Sequence, residues 1–118
     1  MNKVLLADSD PAMRSALRLL LERRLEKIML AEAADLDCLV SMLVDFKPEL
    51  LLLDWRLPGA QISPLMAAIR LQQPDLQIVV LSIRQEDQTQ ALVNGAVGFI
   101  YKGDSPELVL EHLRNVLR

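Results

Sequence analysis

One cysteine, Cys38, and one histidine, His112, are all that this 118-residue chain offers toward a disulfide or a soft-metal site. A lone thiol closes no internal disulfide, and a structural zinc takes about four ligands drawn mostly from Cys and His. Any bound metal therefore has to be held by oxygen. Long apolar runs are also missing. None exceeds five residues, and Met1-Asn2-Lys3 leads into only four apolar residues before Asp8. A secretory signal needs an apolar core of about 7 to 15 residues and a membrane helix about 20, so a soluble, cytoplasmic protein without membrane contact is expected. The net charge of −3 comes without any run of Lys and Arg or interleaved aromatics, which argues against direct nucleic-acid binding by this chain. Repeats, low-complexity tracts and Gly/Ser linkers are absent, so residues 1–118 read as one compact domain, either alone or cut at a domain edge.

The 52% of hydrophobic residues is ample for a single core, and its distribution is informative. Short apolar stretches recur at Val4 to Ala7, Ile28 to Ala31, Leu50 to Leu53, Ile78 to Leu81 and Phe99 to Tyr101. The segments between them carry helical periodicity. Met13, Ala16, Leu17 and Leu20 form a stripe with Arg14, Arg18 and Arg23 on other faces, and Val109, Leu113, Val116 and Leu117 repeat the pattern in the last segment, which runs from Ser105 to the chain end at Val116-Leu117-Arg118. Strand followed by helix, repeated along the chain, is the pattern of a parallel sheet covered on both faces. Asp10-Pro11, Ser63-Pro64 and Ser105-Pro106 each place an N-cap acceptor before a proline at the first helical position. Asn94-Gly95 supplies a stop after a helix over 85–93. Pro48, Pro58 and Pro74 fall in connections, so no proline interrupts an element.

In a parallel sheet all carboxyl-terminal strand ends share one edge, so residues distant in sequence converge there. Asp8 and Asp10 follow the first apolar stretch, Asp54 the third, Ser82 the fourth and Lys102 the fifth. Neighbouring carboxylates repel unless a cation intervenes, and hard oxygen ligands suit Mg²⁺. With such an ion, an aspartate oxygen can attack phosphorus while a lysine and a hydroxyl stabilise the phosphoryl charge. The residue types fit phosphoryl transfer onto a carboxylate.

Asp8 and its neighbours, Leu-Leu-Leu-Asp54-Trp-Arg-Leu-Pro-Gly, Ser82 after Val79-Val80-Leu81, and Gly95-Ala96-Val97-Gly98-Phe99-Ile100-Tyr101-Lys102 resemble, in order and over essentially the whole chain, the receiver domain of two-component response regulators. Gly103-Asp104 after the lysine is similar to receivers attached to helix-turn-helix output domains. The resemblance implies a flavodoxin-like (βα)₅ doubly wound fold, a five-stranded parallel sheet of order 2-1-3-4-5. It implies phosphorylation of Asp54 by a histidine kinase or phosphotransfer protein. Mg²⁺ would be held by Asp8, Asp54 and the backbone carbonyl of Arg56. Ser82 and Lys102 would contact the phosphoryl group, Phe99 would be the switch aromatic, and an output domain past residue 118, DNA-binding as the helix-turn-helix subgroup implies, or a homodimer would respond.

Two positions depart from that pattern. The second of the usual paired acids is Ser9 in Asp8-Ser9-Asp10, and Asp10, directly before Pro11, is better placed as a helix cap than as a replacement ligand, so weak Mg²⁺ binding is expected. Ile83 puts a β-branched side chain after Ser82, which is expected to slow phosphate gain and loss. Both leave room for a pseudo-receiver that acts as an interaction or dimerisation module without productive phosphorylation. Asp8-Ser9-Asp10 also matches the nucleophile motif of haloacid-dehalogenase-type phosphatases, a reading that leaves Asp54 without a role. Trp55 is a natural fluorescence reporter of the site. Cys38 reads as a half-buried helix residue, His112 as packing or surface, and the arginines from Arg14 to Arg24 as a solvated face.

Overall fold

The computed structural model describes residues 2–117, so Met1 and the expected terminus at Arg118 lie outside the described residues. Five strands form one sheet: β1 (Asn2–Ala7), β2 (Ile28–Ala33), β3 (Leu50–Asp54), β4 (Gln77–Ser82) and β5 (Gly98–Tyr101). All neighbours pair in parallel, in the order β2-β1-β3-β4-β5. This is the expected doubly wound arrangement. Each apolar stretch is the centre of a strand that extends one or two residues beyond it, and Asp54 and Ser82 are themselves the last strand residues.

The apolar runs are continuous because the sheet is buried on both faces. Successive side chains alternate between the faces and build two separate cores. Leu5, Ala7, Leu51, Leu53, Ile78 and Val80 point to one side, under α2 (Leu36–Asp45), α3 (Ile62–Gln72) and α4 (Gln88–Val93). Val4, Leu6, Leu50, Leu52, Val79 and Leu81 point to the other, under α1 (Pro11–Arg24) and α5 (Pro106–Val116).

Helix starts follow the capping chemistry with one exception. The Asp10 carboxylate accepts from the Ala12 N–H at 2.9 Å, and the Ser105 hydroxyl accepts from the Leu108 N–H at 3.2 Å. The third expected cap is displaced: α3 starts from Gln61, so Ser63 and Pro64 occupy the second and third helical positions. Proline is tolerated there because the first four helix N–H groups have no intrahelical acceptor in any case. The stretch 85–93 is also divided, with a 3₁₀ turn over Gln85–Asp87 preceding α4. It ends as expected near Asn94, with Gly95 at φ +102°.

Three surface expectations need correction. Cys38 is exposed rather than half-buried. In α1 the buried positions are Leu17 and Leu21, while Ala16 is exposed, so the stripe is rotated toward Leu21. Arg14 and Arg18 are not simply solvated, because both donate to Glu32 on β2, at 2.9 and 2.7 Å. Leu52 lies at the centre of the middle strand with 0% exposure. Leu52→Ala is expected to cost about 3 kcal/mol through lost transfer energy and a residual cavity, seen in urea denaturation as a lower midpoint at unchanged slope.

Candidate functional site

The sheet order puts β1, β3, β4 and β5 next to one another, and their carboxyl ends carry Asp8, Asp54, Ser82 and Lys102. Three of these are buried polar residues in a core that is otherwise apolar among the described residues: Asp8 at 1%, Asp54 at 7% and Ser82 at 1% exposure. Lys102 reaches between the two acids, its Nζ 2.7 Å from Asp8 Oδ2 and 3.4 Å from Asp54 Oδ1. The main chain adds one hydrogen bond to each carboxylate. Asp8 Oδ1 accepts from the Asp10 N–H at 2.9 Å, and Asp54 Oδ1 accepts from the Arg56 N–H at 3.1 Å.

The electrostatics of this arrangement are unbalanced. Burial, with the Asp8 charge adding to it, pushes the Asp54 carboxyl above the ordinary aspartate range, against the Arg56 N–H and the Lys102 ammonium, which favour the ion. One lysine does not neutralise two buried carboxylates. The Lys102 ammonium sits close to Asp8 Oδ2 without hydrogen-bond geometry, and that buried oxygen has no hydrogen-bond partner among the described residues. The Lys102 ammonium is thus the single cation facing this buried oxygen among the described residues, and a hard cation would complete its neutralisation. Asp8 and Asp54 are the carboxylates at hand. No group of three or more His, Cys, Asp or Glu side chains able to hold a metal occurs among the described residues. This donor set suits Mg²⁺, which retains several waters and takes one or two carboxylates.

Asp10 lies beside this centre, but its Oδ1 caps α1, and Ser9 is exposed. Phe99 is buried in the core beneath α2, α3 and α4, Trp55 packs half-buried against the same core, and Ile83 is exposed. Cys38 and His112 are exposed and outside the site.

Sequence patterns gave no role at the site to Arg14, Glu32 or Asp87. Arg14 donates to the carbonyl of Asp8 at 2.6 Å while its Nε binds Glu32, tying the loop after β1 to the edge strand. The hydrogen bond from Arg18 chiefly, aided by Arg14, holds the Glu32 carboxyl below its usual range despite partial burial. Asp87, in the turn before α4, accepts from the Ser82 hydroxyl at 2.6 Å and from Arg56 Nη1 at 2.9 Å on the same oxygen. Burial acts to raise the Asp87 carboxyl, but the hydrogen bonds from Ser82 and Arg56 and the charges of Arg56 and Arg84 outweigh it and hold the group below its usual value. Gly103 is a further constraint, since a Cβ there would collide with the Tyr101 ring.

Residues 4–114 fit the family model of the response regulator receiver domain, and the chain belongs to that family. The transcriptional activator protein ExaE of Pseudomonas putida is 35% identical over 118 residues, spanning 97% of this chain and 54% of its own length. Response regulator GacA of Pseudomonas aeruginosa is 32% identical over 122 residues, spanning 98% of this chain and 55% of its own. The chain thus spans about half the length of these curated relatives. Among solved structures, the isolated receiver domain of RcsB from Salmonella enterica serovar Typhimurium, in the presence of phosphomimetic beryllofluoride, superimposes with a TM-score of 0.88 at 23% identity, over 99% of this chain and 89% of that one.

The raised Asp54 carboxyl has a thermodynamic sign. Its folded value lies above its unfolded one, so its contribution to stability is complete below about the ordinary aspartate value of 3.8 and is lost as pH rises through the folded value. At neutral pH the ionised group destabilises the fold. Asp54→Asn is therefore expected to stabilise the metal-free protein by about 1 kcal/mol at pH 7, with the gain shrinking on acidification. Thermal unfolding of both proteins at matched pH values checks it; an Asp54→Asn protein no more stable than its parent at pH 7 would contradict it.

Proposed function

We propose that this chain is a phosphoacceptor of a two-component signalling system, taking a phosphoryl group on Asp54 from a histidine kinase or phosphotransfer protein in the cytoplasm. The observation that carries this reading is the convergence of Asp8, Asp54 and Lys102 at one buried sheet edge, with Lys102 Nζ within 3.4 Å of both carboxylates. In the transfer an Asp54 oxygen forms a bond to phosphorus, the phosphorus–nitrogen bond of the donor phosphohistidine breaks, and the leaving imidazole regains its nitrogen lone pair. The Arg56 N–H orients the attacking carboxylate, and Lys102 exchanges its contact with Asp54 for one with the phosphoryl oxygens. Mg²⁺, held by Asp8, Asp54 and the Arg56 carbonyl, would supply the positive charge that lets a carboxylate approach a phosphoryl anion. With Ser9 in place of a second acid and Asp10 engaged as a cap, the ion is bound weakly.

Phosphorylation replaces the single carboxylate charge of Asp54 with a phosphoryl group of about −1.5 to −2 charges, a net gain of about one negative charge or less, and presents three strong acceptors. These draw Ser82 and Lys102 inward, and the loops that carry them bias α4, β5 with Phe99, and α5. The relatives' greater length, with ExaE being a transcriptional activator protein, supports an output domain as the element that responds, and DNA binding is the activity inferred for it. A homodimer is the other available readout. The phosphatase reading lacks support from Asp10, whose carboxylate is tied to the Ala12 N–H.

Incubation with acetyl phosphate and Mg²⁺ should give a single phosphate adduct by intact-protein mass spectrometry, absent from Asp54→Asn. No adduct at saturating Mg²⁺ would favour the interaction-module reading, and phosphatase turnover lost in Asp8→Asn but kept in Asp54→Asn would favour the hydrolase. Ser9→Asp is expected to tighten Mg²⁺ binding about tenfold by adding an anionic ligand, followed through Trp55 fluorescence; unchanged affinity would show that Ser9 does not limit the site.

A further inference from the structure

The Ser82 hydroxyl has one proton, and it is already committed. It points to Asp87 Oδ2 at 2.6 Å, while the Arg84 N–H donates to Ser82 Oγ at 3.1 Å. A hydroxyl donating to one acceptor cannot at the same time donate to a phosphoryl oxygen on Asp54. Arg56 is divided in the same way. Its main-chain N–H faces Asp54, but its guanidinium pairs with Asp87 Oδ2 at 2.9 Å. One carboxylate oxygen thus holds both the Ser82 hydroxyl, at the end of the strand beside Asp54, and the Arg56 guanidinium. The Ser82 side chain is buried at 1% exposure, so water does not compete freely for it.

We propose that Asp87 is a positioning residue that latches the Ser82 hydroxyl away from Asp54, and so lowers the affinity of the site for a phosphoryl group until that group outcompetes it. The inference rests on the phosphoacceptor reading of Asp54 and extends it to a residue outside the strand-end set. A phosphoryl group on Asp54 and the carboxylate of Asp87 compete for the one Ser82 hydroxyl proton. When the phosphoryl group takes the Ser82 hydroxyl, Asp87 loses its strongest neutral partner, and the Gln85–Asp87 turn that leads directly into α4 is released. The apparent affinity for a phosphoryl mimic equals the intrinsic affinity reduced by the fraction of molecules with the latch open. Removing the latch should therefore tighten binding, a direction opposite to that of an ordinary structural lesion.

The test is a beryllofluoride titration in Mg²⁺, read by Trp55 fluorescence, on the wild-type chain, Asp87→Ala, Asp87→Asn, Ser82→Ala and the Asp87→Ala/Ser82→Ala pair. Asp87→Ala is expected to bind about fivefold tighter than wild type, and Asp87→Asn to fall between them. The gain should vanish when Ser82→Ala is already present. Equal or weaker binding by folded Asp87→Ala overturns the latch. So does a gain that persists without the Ser82 hydroxyl, since simple relief of charge repulsion by Asp87 then explains it. Should Asp87→Ala not fold, the near-isosteric Asp87→Asn decides by the same criterion. Failure of every variant and the wild type to bind the mimic would sink the phosphoacceptor reading instead, and the latch is then judged on the unliganded protein. There, hydrogen exchange at the Arg84 amide should be faster in Asp87→Ala than in wild type, and an unchanged rate refutes the latch.

Discussion

Two carboxylates of like charge, buried side by side and sharing a single ammonium, are the constraint around which this molecule is built. Asp8 and Asp54 are among the least exposed polar side chains, and Lys102 touches both. Such a cluster is costly to assemble from a flexible chain, and only a rigid support holds it. The support is the parallel pairing of β1 with β3 and of β3 with β4 and β5 beyond it. Backbone bonds lock the edge together. Trp55 N–H donates to the Leu81 carbonyl at 2.8 Å and Lys102 N–H to the Ser82 carbonyl at 2.8 Å. The residue whose ammonium joins the carboxylates is therefore also tied, through its amide, to the residue whose hydroxyl faces Asp87.

The scaffold was readable in the sequence because its causes are local. Strands buried on both faces read as unbroken aliphatic runs, and alternation along each run assigns Leu51 and Leu53 to one core and Leu50 and Leu52 to the other. The caps at Asp10 and Ser105 were readable for the same reason, since acceptor and proline are adjacent. Ser63-Pro64 misled because proline fits any of the first helical positions, and only the surrounding packing selects among them. The family resemblance to receivers, and with it the sheet order, rested on a set of short motifs in sequence order rather than on any one of them.

Contacts between elements were not legible. Arg14 and Arg18 look like a solvated face until β2 brings Glu32 against them across the loop that carries Asp8. Asp87 stands in a short polar segment with no periodicity, and its significance depends on a 3₁₀ turn that aims it back at Ser82. Side chains that determine the position of other side chains leave little trace in spacing, because their partners are chosen by the turn and not by the strand.

The six-residue α4 buries Ala91 within its span and exposes Leu92 and Val93 at 46% and 73%. One methyl group gives a helix little grip on the sheet, whereas Leu39 and Leu43 anchor α2 and Val109, Leu110 and Leu113 anchor α5. Displacing α4 thus forfeits the least apolar contact of any helix in the molecule. An electrostatic change worth a few hydrogen bonds at the sheet edge is enough to compete with so shallow an attachment, while the deeply rooted elements around it stay where they are.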